Sequence, residues 1–183
     1  MNRSTGFVRD PRKPRTTLSV PDRHPVCHAS DMRPSLYEHA GGEAAFLALA
    51  AAHHRRCVDD PELIHPFSHP GQHPEHVARL AAYWAEVLGG PPTYSTTAGD
   101  HSSVLRMHAG NGEGMHDLGR RFVACFVAAM DDVGMPDDPE FRAAMRAYME
   151  WAVSDVLIYT PEHSAVPTDA PMPRWTWAGL SAD

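Results

Sequence analysis

The 183-residue chain has only three cysteines, Cys27, Cys57 and Cys125, and their spacing builds no disulfide framework. An odd count without a secretory leader fits a reducing compartment, so a cytoplasmic protein is expected. Long apolar runs are missing too. No segment approaches the roughly 18 consecutive apolar residues of a membrane helix, and the first thirty residues lack the apolar stretch of a signal peptide. Positive charge is scarce: 16 Lys and Arg stand against 23 Asp and Glu, for a net charge of −7. Seven of the basic residues lie within the first 34, which leaves the rest of the chain at −11 and argues against a nucleic-acid-binding body. Between about residues 35 and 160, convincing alternation of apolar and polar residues, the mark of a half-buried strand, is also absent.

Helical periodicity is present instead, so the expected class is all-α and the length predicts one domain. Residues 1–34 carry Pro11, Pro14, Pro21, Pro25 and Pro34 without helical pattern, and read as a disordered or loosely packed arm. The domain proper is expected over 35–160. A C-terminal extension, 161–183, follows, interrupted by Pro161, Pro167, Pro171 and Pro173; its Trp175 and Trp177 are expected to dock on the body. Within the domain, Ser35 can cap a first turn over Leu36 to His39, ended by Gly41 and Gly42. Helices are then expected from Glu43 to about Val58, from Pro74 to Leu88, from Met115 to Val133, and from about Pro139 to Tyr159, the last capped by Asp138.

Histidine is abundant at 13 residues, and imidazole both binds metals and titrates near neutrality. His24, His28, His39, His101, His116 and His163 fall in tails, turns or helix ends, where exposure is expected. The run His65, His69, His73, His76 has four-residue steps that would stack imidazoles on one helix face, but Pro66, Pro70, Gly71 and Pro74 break that helix and weaken a zinc reading. His76 differs because Leu80, Tyr83 and Val87 follow it on one inward stripe. His53 and His54 compete for the inward position of the preceding helix. Cys57 and Cys125 read as small buried hydrophobes.

The order of landmarks supplies more. Tyr37-Glu38-His39-Ala40-Gly41-Gly42, the Asp60-Pro61 turn with Phe67 beyond it, Gly89-Gly90-Pro91-Pro92-Thr93-Tyr94-Ser95, and Leu105-Arg106-Met107-His108 resemble the truncated hemoglobins, their second subgroup most closely. The resemblance spans about Leu36 to Tyr159. It implies a 2-over-2 helical sandwich around heme b, made by one pair from the Glu43 and Pro74 helices and another from the last two. His108 falls on the proximal iron ligand, in a short irregular segment before the third long helix; Phe67 falls on an aromatic residue against the heme face, and His76 on the distal position. Leu80, Tyr83, Trp84, Met107 and Phe122 complete the implied heme contacts. Two positions depart from the family pattern: His54 stands where a tyrosine usually donates to the bound ligand, and Phe122 where the second subgroup usually has a tryptophan. The distal polar set would thus be two histidines, His54 and His76.

The function implied is reversible binding of oxygen and other diatomic gases, nitric oxide and carbon monoxide among them, at ferrous iron. Nitric oxide dioxygenase or peroxidase-like chemistry is an extension that would need a reductase from outside the chain. Two alternatives remain open at this stage. One is a hexacoordinate electron-transfer or sensor protein with His76 or His54 as a second axial ligand. The other is a heme-free protein-interaction module.

Overall fold

The computed structural model describes residues 33–68, 71–110 and 115–182. The expected N-terminal arm over 1–34, with Cys27, His24 and His28, therefore lies almost wholly outside the described residues, as do His69 and the glycines at 112 and 114. Helix α1, Leu36–Ala40, opens on a capping box: Ser35 Oγ accepts from the Glu38 amide at 3.1 Å and Glu38 Oε2 accepts from the Ser35 amide at 2.9 Å. Helix α2, Gly42–Asp59, follows at once, its alanine-rich first half favouring helix and its buried stripe running through Phe46, Leu49, Ala50, His53 and Cys57.

A short α3, Ile64–Phe67, leads to α4, His76–Val87. Helix α4 begins two residues later than the Pro74 start expected from the sequence, because His73 Nδ1 accepts from the Glu75 amide at 3.1 Å and holds 73–75 as a turn. Past its end Gly89 adopts φ +95°, and Gly90 donates to the Ala85 carbonyl at 2.7 Å. A Cβ on Gly90 would meet that carbonyl oxygen at 2.7 Å, and one on Gly89 would meet the Ser35 Cβ at 2.7 Å. The glycine pair thus lets the chain fold back where α1 docks, through the Tyr37 amide and the Leu88 carbonyl at 3.0 Å.

Three short helices went unread in the sequence, α3 among them. Helix α5, Thr93–Thr97, consists of Ser, Thr and Tyr, and its threonine hydroxyls bond back to the carbonyls of Pro92 and Thr93, so it carries no apolar period. Helix α6, His101–His108, starts on a second capping box between Asp100 and Ser103. Helices α7, His116–Asp132, and α8, Pro139–Leu157, lie within a residue or two of expectation. Asp138 caps α8 by accepting from the Glu140 amide at 2.9 Å, and Pro139 takes the first turn, where no amide is needed.

Helix α2 packs on α4 and crosses α7, and α7 packs on α8, so the two expected helix pairs are present. Phe46, Phe126, Phe141 and Tyr148 are wholly buried among them. The segment after α8 is not loose where it carries tryptophan. A two-stranded hairpin, β1 Trp175–Thr176 and β2 Gly179–Leu180, buries Trp175, whose indole N–H donates to the Ala144 carbonyl at 3.2 Å. Trp177 donates to the Pro34 carbonyl at 2.8 Å. Both indoles dock on the body, as expected, and the hairpin that carries them lies beyond the stretch read as purely helical. No helix among the described residues is long and apolar enough to cross a membrane.

Candidate functional site

An open, largely apolar cleft lies between α4, α6, α7 and α8. Leu80, Tyr83 and Trp84 of α4 form one wall, Val104 and His108 of α6 another, and Phe122 of α7 with Trp151 and Val153 of α8 the rest. Five of the residues singled out from the sequence, Leu80, Tyr83, Trp84, Phe122 and His108, therefore meet in one place. Met107 does not. It is 64 % exposed and stands outside the wall, because it follows Arg106 on the solvent side of α6.

His108 is the last residue of α6, not part of an irregular segment. The short helix escaped sequence reading because only Val104, Leu105 and Met107 in it are apolar. Its geometry fixes the imidazole: Nδ1 donates to the Val104 carbonyl one turn back at 2.8 Å. In the neutral ring that bond places the proton on Nδ1 and the lone pair on Nε2, the tautomer a metal ligand needs.

At the α4 edge of the cleft, one turn before Leu80, a second set of rings gathers. His54 and His76 lie 5.5 Å apart, Phe67 is 6.3 Å from the first and 6.5 Å from the second, and Phe67 stacks on Phe122 at 5.6 Å. Both imidazoles carry a buried nitrogen without a hydrogen-bond partner, Nδ1 in His54 and Nε2 in His76. Native folds rarely leave such atoms unsatisfied, so both nitrogens are free to take a polar guest. Burial holds the His76 pKa below its usual value, helped by the imidazoles of His54, His108 and His73. The ring is therefore neutral at pH 7.

His53 takes the inward position on α2 and is fully buried, whereas His54 is half-buried beside Phe67 and His76. It packs edge-on against Phe122 at 4.3 Å, donates from Nε2 to the Phe122 carbonyl at 3.3 Å, and touches Cys57 Sγ at 3.5 Å. Desolvation pushes its pKa down from 6.5 to about 4. The unfolded chain takes up this proton as the pH falls through 6.5, and the folded chain only near 4, so stability is full above pH 6.5 and declines from there towards pH 4. Urea midpoints measured across that window should fall with acidification in the native protein and flatten in His53→Phe. An equal slope in both would assign the decline to other groups.

The sequence reading missed His101. Expected in solvent, it is 7 % exposed: Tyr83 donates its hydroxyl to Nδ1 at 2.8 Å, and Nε2 faces Asp155 at 3.0 Å. Two signals were available, since His101 lies seven residues before His108 and Asp155 seven after Tyr148, each two turns along a shared face. Tyr148 also lines the cleft, wholly buried with its hydroxyl unpartnered. His39 is likewise half-buried, between Phe141 and Trp177, whereas His116 and His163 are exposed as expected. Arg56 and Arg121 lie near Cys125 and favour its thiolate, yet burial outweighs them and raises the thiol pKa. Among the described residues no three His, Cys, Asp or Glu side chains converge as a metal site, and both His65 and His73 are exposed.

The model of the bacterial-like globin family matches residues 35–155, two thirds of the chain and every wall of the cleft. The chain belongs to this family. Structures similar to this globin include the hemoglobin of Chloroflexus aurantiacus, at 27 % identity over 68 % of this chain and 98 % of that one, with a TM-score of 0.58. A hemoglobin of Thermobifida fusca shares 25 % identity over 68 % and 97 %, TM-score 0.55, and the group II 2-on-2 hemoglobin of Agrobacterium tumefaciens 27 % over 68 % and 94 %, TM-score 0.56. No curated protein matches the chain. The globin is thus a truncated hemoglobin in architecture, and heme is its cofactor. The residues present fit that group: the cleft is apolar, one imidazole is held in the ligating tautomer, and two others offer unsatisfied buried nitrogens.

Proposed function

We propose that this globin binds a diatomic gas reversibly, with His108 as the axial heme ligand and His76 and His54 as the groups that face the gas. Heme, when bound, would supply the iron that takes up oxygen, nitric oxide or carbon monoxide reversibly. The side chains set the affinity and the access. His108 presents Nε2 because Val104 occupies Nδ1. Leu80, Trp84 and Phe122 keep the cleft apolar, which excludes water and strengthens any hydrogen bond made inside it. His76, neutral and missing a partner at Nε2, can donate its one N–H to the gas, and His54 stands beside it with Nδ1 in the same condition.

The observation that carries this reading is the pairing of a tautomer-fixed imidazole on α6 with two unsatisfied imidazole nitrogens by α4. Absorption spectra of the heme-loaded ferrous protein, with and without carbon monoxide, test it. A five-coordinate histidine-ligated spectrum that converts on adding the gas is expected. A low-spin six-coordinate spectrum without added gas would favour the bis-histidyl alternative, and failure to take up heme would sink both.

A further inference from the structure

We infer that His101 is a positioning residue for His108, and that Tyr83 and Asp155 set the proximal imidazole through it. The inference rests on the assignment of His108 as axial ligand. Helix α6 has only eight residues, and its two ends are held very differently. In its first turn His101 and Ser102 are buried, at 7 % and 0 % exposure; in its last, Arg106, Met107 and His108 are exposed.

Three elements meet at the buried end. Tyr83 ties His101 to α4 and Asp155 ties it to α8, at 2.8 and 3.0 Å. Ser102 Oγ accepts from the Ala170 amide at 2.9 Å, which joins the helix to the segment that Trp175 fastens to Ala144. The Asp155 carboxylate accepts from Nε2–H, which leaves Nδ1 to accept from the Tyr83 hydroxyl. Each atom of the chain then has one role, and the ring has one orientation. Tyr83 has no competing ionised state, since burial pushes its phenol pKa up.

The consequence follows from helix geometry. Seven residues make almost two full turns, so His101 and His108 share a face of α6 about 10 Å apart. A rotation or slide of the helix permitted at His101 is carried along that face to His108. No other ring nitrogen on α6 reaches the cleft wall, as only these two histidines of the helix line it. The hydrogen-bond chain therefore sets the direction in which His108 Nε2 points, without touching the gas site itself.

The test uses the heme-loaded ferrous full chain and reads the iron–histidine stretching band by resonance Raman, together with the rate of heme transfer to an acceptor globin. In His101→Leu the band should shift or split, and heme loss should quicken about tenfold. His101→Gln, which can still accept from Tyr83 and donate to Asp155, should restore both readouts. Tyr83→Phe and Asp155→Leu each remove one bond and should give the same band change in smaller degree, so the test survives if one variant fails to fold. A band and a loss rate within twofold of native in His101→Leu and Tyr83→Phe would overturn the inference while leaving His108 as ligand. A native protein without an iron–histidine band would instead remove the ligand assignment on which the inference rests.

Discussion

His108→Ala is expected to lose the five-coordinate histidine-ligated ferrous spectrum and to release heme rapidly, while its far-ultraviolet circular dichroism stays native. The two halves of that result have separate causes. His108 is exposed, so truncating it opens no cavity in the core and leaves the packing of Phe46, Phe126, Phe141 and Tyr148 intact. What disappears is the nitrogen donor on the α6 wall. His101 cannot replace it, because Tyr83 and Asp155 occupy both its nitrogens and direct them into the body. Removing the side chain also leaves room for a small ligand, so added imidazole should restore the axial donor and with it the spectrum. Full retention of the native spectrum without added imidazole would show that another residue holds the iron.

Much of this arrangement was legible in the sequence wherever a period or a spacing carried it. The long helices α2, α4, α7 and α8 announce themselves through apolar stripes, and the glycine pairs and Asp138 mark where they start and stop. The cleft follows from those helices, because Leu80, Tyr83 and Trp84 lie on the inward face of α4 and Phe122 on that of α7. Helices α5 and α6 were not legible. Each is too short to show a stripe, and each is held by caps and by contacts to distant segments that no local pattern encodes. His101 is the clearest case: a histidine beside the capping Asp100 reads as solvated until Tyr83 and Asp155 are brought to it from 18 and 54 residues away. The C-terminal hairpin was hidden for the same reason, since four strand residues give no alternation.

His76→Leu should raise the rate of oxygen dissociation roughly 10- to 100-fold, the equivalent of about 1.5–3 kcal/mol for a buried, charge-assisted hydrogen bond. Leucine keeps the apolar volume beside Phe67 and removes the donor, so the association rate should change much less than the dissociation rate. Because burial and the neighbouring imidazoles hold the His76 pKa below its usual value, any acid-side change in the native dissociation rate that comes from protonating this ring should set in at lower pH than for an ordinary imidazole. His54 shares the task. Its ring lies 5.5 Å from His76 and its buried Nδ1 is also unpartnered, so the two act on one guest and their effects should not add. A double-mutant cycle with His54→Leu makes that measurable: a combined change smaller than the product of the two single changes is the expected result. Dissociation within twofold of native in His76→Leu, with His54→Leu carrying the whole effect, would move the donor role to α2 and leave His76 as a packing residue of the cleft edge.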